Sequence, residues 1–277
     1  MAPEDAALAE TEAGTAGSAA GSQAQSGDRA QETRERLILA AERLFAEEGM
    51  GVSLRRINAA AGQKNVSALH YHFGDRDALV EAILAYRMAR SSVRRDALLA
   101  KAIAEGRAGD LRALVEAAIR PVAEQIRSTA AGSHFVRFVA QTNRLPELDG
   151  WGVVPHRSRH SLTRVYLRIL RLVTDLPRPI VHARTIMALR RAIYVLADLD
   201  RVIERRHPDM RDAMVDFYAE DLIDMLTAEL RAPLSETTRR SYEALIRRGG
   251  GERAAFFGPD TMQAAGRRLR ARPSDAE

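Results

Sequence analysis

Apolar residues recur along this chain at three- and four-residue spacing, the signature of helices that bury one side. Leu37, Ile38, Ala41, Leu44 and Phe45 form one such side, while Glu35, Glu42, Arg43, Glu47 and Glu48 point away from it. Gly49 stands where a C-terminal cap is expected. Ser53 is a predicted N-cap for a short second helix, Leu54 to Ala61, in which Leu54, Ile57 and Ala61 share a side. Gly62 then turns the chain, and Asn65 is placed to cap a third helix from Val66 to Phe73. After Gly74, Asp75 or Asp77 starts a long fourth helix through Leu79, Ile83 and Tyr86. No segment shows the sustained alternation of a half-buried strand, so the predicted class is all-α.

Farther along, Asp110 is a predicted cap for a helix through Leu111, Leu114, Val115, Ala118 and Ile119. Pro121 has no amide proton and is expected to kink or break it. Ser133 to Asn143 reads as another helix, and Leu145 to Gly152 as a loop holding the single tryptophan, Trp151. His156 to Val173 is helical again, with Leu162, Val165, Tyr166, Ile169 and Leu170 inward. Two long helices close the pattern. Ile180 to Glu204 is apolar on two sides, with Ile186, Leu189, Ile193, Leu196 and Ile203 on one and Met187, Tyr194, Leu199 and Val202 on another. Met210 to Leu230 has the same character, and a helix of that kind is covered twice. Both helices lying inside one subunit's core is the plain alternative. The favoured reading pairs two such helices from each of two subunits about a two-fold axis, with Ile193, Leu196, Leu222 and Met225 as the expected interface residues.

Composition narrows the partners. Cysteine is absent, which excludes disulfides, thiolate metal sites and cysteine nucleophiles and fits a reducing cytoplasm. No apolar run reaches the roughly 18 residues a membrane span needs. Residues 1–28 hold five acids and no base, are rich in Ala, Gly and Ser, and are expected to form a disordered tail and not a leader peptide. The net charge of +5 therefore becomes +10 over the remainder, a balance suited to a polyanionic partner. The expected organisation is a tail at 1–28, a first helical unit at 29–84, a larger helical body at 85–232 and a basic, partly disordered appendage at 233–277.

The segment from Ala61 to Phe73 carries the chemistry. Reading the major groove needs a helix whose first turns are small or polar, flanked by cations and hydroxyls that settle on phosphates. Asn65, Val66, Ser67, Ala68 and His70 meet the first need, and Lys64, Tyr71, His72 and Arg76 the second. The wider stretch from Arg34 to Leu84 contains Ile38-Leu39-Ala40-Ala41, Leu44-Phe45, Gly49, Ser53-Leu54-Arg55-Arg56-Ile57, Ala61-Gly62 and Leu69-His70-Tyr71-His72-Phe73-Gly74-Asp75-Arg76-Asp77-Ala78-Leu79. It resembles the DNA-binding domain of the TetR family of bacterial transcriptional regulators. That resemblance implies a three-helix helix-turn-helix head, a larger helical body with an effector pocket, and a homodimer on a palindromic double-stranded operator, most often as a repressor. It also implies that Arg55 lies at a position that touches bases or phosphates; Arg56 is placed to assist it, and Ser53 is counted with them as an expected DNA-binding residue. One departure is visible: Gln63, Lys64 and Asn65 follow the turn glycine, which makes the turn one residue longer than the family pattern.

Within the body, His134, Phe135, Phe138, Gln141, Trp151 and Tyr166 gather the aromatic and polar groups that a regulatory pocket uses. The effector expected there is a small apolar molecule, acidic or thioester-linked given the neighbouring arginines. His156 and His160 stand four apart, as two metal ligands on one helix turn do, but without a third ligand the sequence assigns neither a metal nor a cofactor. Two other readings remain open. An all-helical enzyme would need a recognisable nucleophile, carboxylate pair or phosphate loop, and an unregulated architectural DNA binder would have no ligand cavity.

Overall fold

A computed structural model of the chain describes residues 28–63, 65, 67–127, 133–143 and 156–250. Among them every regular element is helical. Helix α1 spans 28–48, followed by α2 (Leu54–Ala60), α3 (Ala68–Phe73), α4 (Arg76–Ala104), α5 (Leu111–Arg127) and α6 (Phe135–Thr142). Then come α7 (His156–Leu172), α8 (Arg178–Arg206), α9 (Arg211–Arg231) and α10 (Glu236–Leu245). No helix among the described residues is long and apolar enough to cross a membrane.

Local chemistry sets the ends of the first four helices. Gly49 takes φ +89° after α1, a left-handed conformation that a side chain would strain. Ser53 Oγ accepts from the Arg56 amide at 3.3 Å, which starts α2 as predicted, and Asp75 Oδ1 accepts from the Ala78 amide at 2.8 Å to start α4. The third helix differs from expectation. Asn65 Oδ1 accepts from the amide of Ser67 at 2.9 Å, closing a local turn, so α3 opens at Ala68 instead of Val66. Leu37, Ile38, Phe45, Ile57, Leu69, Leu79 and Ile83 fill the core that these helices enclose.

In the body, α5 packs on α4 and α9, α7 on α4 and α5, α6 on α8, and α8 on α9. Asp110 Oδ1 accepts from the Arg112 amide at 2.9 Å at the head of α5, as the sequence suggests. Pro121, by contrast, does not break its helix: α5 continues to Arg127 with Pro121 buried inside it. The carbonyl that proline leaves without a partner, that of Ala117, accepts instead from Arg95 Nε of α4 at 3.1 Å.

Helix α6 joins the two cores. Its Val136 and Ala140 pack with the body, while Phe135 and Phe138 pack with the head. The rings of Phe138 and Phe45 stack at 6.1 Å between centroids. Glu42, expected on the polar side of α1, is 1% exposed because it is a junction. It pairs with Arg87 of α4 at 2.5 Å and accepts from the His134 amide, just before α6, at 2.9 Å. At the other side of α6, Arg137 pairs with Asp200 of α8 at 2.7 Å. The limit expected at residue 84 is thus crossed by an unbroken α4 and by a head core that takes residues from α6.

His134 at this junction is held neutral. Burial, together with the positive field of Arg137, lowers its pKa from the ordinary 6.5 to about 4, with Glu204 partly opposing, and its Nδ1 lies 2.9 Å from Arg137 Nη2. The unfolded chain therefore takes up a proton near pH 6.5 that the folded chain refuses until about 4. Stability from this group is complete above the higher value and is lost as the pH falls through that window. His134→Gln is expected to flatten the wild-type decline of melting temperature between those two pH values; an unchanged difference between the proteins across the window would contradict this.

Candidate nucleic-acid interface and the body cavity

Helices α2 and α3 meet across the turn at Gly62, which takes φ +70°. Leu69, 1% exposed, anchors α3 in the head core. With that side fixed, Ser67, His70 and Tyr71 face solvent, and Tyr71 is 84% exposed with its ring edge-on to His72 at 5.2 Å. Such an uncovered aromatic on a six-residue helix has no packing role within the subunit; its hydroxyl and ring are open to a partner. Asn65 is exposed beside it, and His72 is half-buried toward Phe73.

The arginines divide into three kinds. Arg55 on α2 is exposed and has no acceptor among the described residues. Arg56, expected beside it in the same work, is bound to Glu48: Nε and Nη2 reach one carboxylate oxygen at 3.2 and 2.6 Å, and its pKa is raised by that contact. Arg76 is turned inward, contrary to its expected place on a phosphate. It donates to the carbonyls of Met50 and, at 2.8 Å, Val52, tying the start of α4 to the α1–α2 turn, because those two carbonyls lack helical partners. Lys64, Val66, Trp151 and the side chains of His156 and His160 lie outside the described residues, as does the expected tail up to residue 27.

Under the head, a cavity of about 100 Å³ opens between α4, α5, α6, α7 and α8. Met88, Ile119, Val122, Leu162, Leu189 and Ile193 make most of its wall apolar, and Ser91, Arg95, Asn143 and Arg190 are its polar groups. Of the residues expected here, Phe135 lines it, while Phe138 is fully buried against Phe45 in the head. Tyr166 does not line the wall, and its hydroxyl is engaged by His182 Nδ1 of α8. Gln141 is half-buried and His134 is held at the head junction. Sequence reasoning missed Arg95 and Ser91, although Leu84, Met88, Ser91 and Arg95 recur at the spacing of one helix face.

The expected dimer residues are also redistributed. Leu196 and Leu222 are 1% and 5% exposed inside the subunit's own core, and Ile193 lines the cavity. Met225 is 61% exposed. Helices α8 and α9 also leave Met187, Val195, Val202, Phe217 and Tyr218 uncovered.

Residues 37–83 match the family model described as bacterial regulatory proteins, tetR family. No curated protein matches the chain. The match runs from within α1 through the first turns of α4, the same stretch that presents Arg55 and Tyr71, so the head is a DNA-binding domain of the type found in bacterial tetR regulators.

Proposed function

We propose that the protein is a ligand-responsive repressor that binds a palindromic operator as a homodimer and leaves it when a small molecule fills the body cavity. The observation that carries this reading is the double membership of α6. Phe135 and Val139 stand on the cavity wall, and one turn away Phe138 is locked into the head core. A ligand that moves α6 must move Phe138 against Phe45, or else leave the head unaffected. Population shift needs only that the ligand bind the two head arrangements with different affinity. Helix α4 offers a second connection, since Leu84 and Met88 line the cavity on the same helix that starts at the head.

The exposed apolar residues of α8 and α9 are the proposed dimer surface. Large apolar side chains gathered on two adjacent helices are what a subunit interface buries. A two-fold pair of subunits would set two reading heads on one side of the duplex, spaced by about one helical turn of DNA or a multiple. The test is selection of fragments from the source genome with the purified full chain, followed by fluorescence anisotropy on the enriched sequence. The expected result is an inverted repeat, bound in a salt-dependent way and released by a small molecule. Failure to enrich any sequence would overturn the specific-regulator reading, and binding that no cavity ligand alters would favour an unregulated DNA binder.

A further inference from the structure

Arg95 is the largest fully buried side chain among the described residues, and it has no carboxylate partner among them. Its neighbours in sequence are differently placed: Arg94 pairs with Glu124, and Asp96 with Arg164. The Arg95 guanidinium reaches only neutral groups. Nε donates to the Ala117 carbonyl at 3.1 Å and Nη1 to Ser161 Oγ at 2.9 Å. These two bonds use two of its five N–H groups.

Satisfying the carbonyl that Pro121 leaves open explains one of those bonds, but a neutral donor would serve equally well. A cation at 0% exposure with no ion pair of its own is a costly way to cap one carbonyl. Burial, opposed by the charge of Asp96, lowers the Arg95 pKa to about 10, which still leaves it charged at neutral pH. The same side chain lies on the cavity wall. Along α4 the wall runs from Leu84 and Met88 to Ser91 and Arg95, roughly 16 Å at the helical rise. One end of this strip is thus apolar and the other carries the charge. The second arginine of the wall, Arg190, is half-buried and donates to the Asn143 carbonyl at 3.1 Å.

We propose that the cavity takes a small organic monocarboxylate, its two oxygens on the Arg95 guanidinium and its apolar part among Met88, Ile119, Val139 and Ile193. This deepens the effector reading above and rests on it for the regulatory consequence. A carboxylate matches the fork of a guanidinium with two parallel bonds. A phosphate or sulfate dianion would bring a second charge into a wall made mostly of carbon, at a desolvation penalty that grows with charge. Size sets the rest of the molecule. An engineered apolar cavity of about 150 Å³ holds benzene, so about 100 Å³ suits a single ring or a short alkyl chain. A coenzyme thioester, with its large head group, is not accommodated.

Calorimetric titration of the purified full chain with benzoate and hexanoate, each against its isosteric amide, benzamide and hexanamide, tests the charge directly. The acids are expected to bind about tenfold or more tightly than the amides, the usual gain for a hydrogen bond to a charged group. Arg95→Gln keeps a donor for the Ala117 carbonyl and is expected to remove that preference. Amides that bind as tightly as acids would overturn the proposal, as would no binding of any of the four probes at millimolar concentration. Because the comparison of acid with amide is made on the wild type, it decides the matter even if the variant fails to fold. Release from DNA, followed in parallel, separates the two readings. Acids that bind through Arg95 but leave the DNA complex intact would uphold the carboxylate site and defeat the effector reading. An amide that releases DNA as well as its acid does would do the reverse.

Discussion

Replacing Arg55 and Tyr71 together with alanine is expected to remove sequence-specific DNA binding while leaving the fold unchanged. Both side chains are exposed, and Arg55 has no acceptor among the described residues, so their removal opens no core and orphans no buried group. A base contact by an arginine contributes about 1–3 kcal/mol of discrimination, and a hydrogen bond from the Tyr71 hydroxyl to a phosphate adds to it. Across the two heads of a dimer the effect is doubled. Fluorescence anisotropy on the enriched duplex should therefore show affinity falling by at least about a hundredfold, with melting temperature nearly constant. Arg56→Ala is the informative control. Its guanidinium is held by Glu48 in an exposed pair whose worth is about 0–1 kcal/mol, so the DNA must displace Glu48 before Arg56 contributes. A smaller fall than for Arg55→Ala is expected. Equal affinity of the Arg55/Tyr71 double variant and the wild type would refute the placing of the reading surface on α2 and α3.

The head is legible in the sequence because its determinants are local. Gly49, Gly62 and Gly74 all have positive φ, and Ser53 and Asp75 cap the helices that follow them, so punctuation and periodicity agree. The later start of α3 is of the same local kind. The run from Gly62 to Ser67 has no apolar spacing to fix a boundary, and Asn65 commits its side chain to a turn before the helix. Arg76 and Glu42 depart from their pattern for another reason. Each sits where helical periodicity allows exposure, and each is drawn inward by a partner far away in sequence: Arg76 by the Met50 and Val52 carbonyls, Glu42 by Arg87 and the His134 amide. No spacing rule contains such a contact. The body shows the limit most plainly. Apolar surface on two sides of α8 is readable, but which side meets the subunit's own core depends on where α6 and α9 pack. Phe138, aromatic and central, has the character of a pocket residue; the structure gives it to the head, and the fully buried charge on the cavity wall comes from Arg95, one turn beyond Ser91 on α4.

The redistribution of the apolar side chains changes the variant that tests assembly. A charge at Leu196 or Leu222 would be buried in the subunit's own core and would unfold it, which says nothing about a partner. Val195 and Met225 are 45% and 61% exposed, so a single subunit tolerates an aspartate at either. In a dimer joined through the outer sides of α8 and α9, the same aspartates become unpaired buried ions, each costing several kcal/mol. Val195→Asp with Met225→Asp is therefore expected to sediment as a folded monomer with wild-type helicity by circular dichroism. Its heads, unaltered, should bind an isolated half-site as the wild type does. On the full palindrome the second head no longer arrives already tethered, and affinity should fall by about 10²–10⁴-fold. Sedimentation of the wild type as a monomer at micromolar concentration would defeat the dimer reading outright. A double variant that remains dimeric would move the interface away from Val195 and Met225.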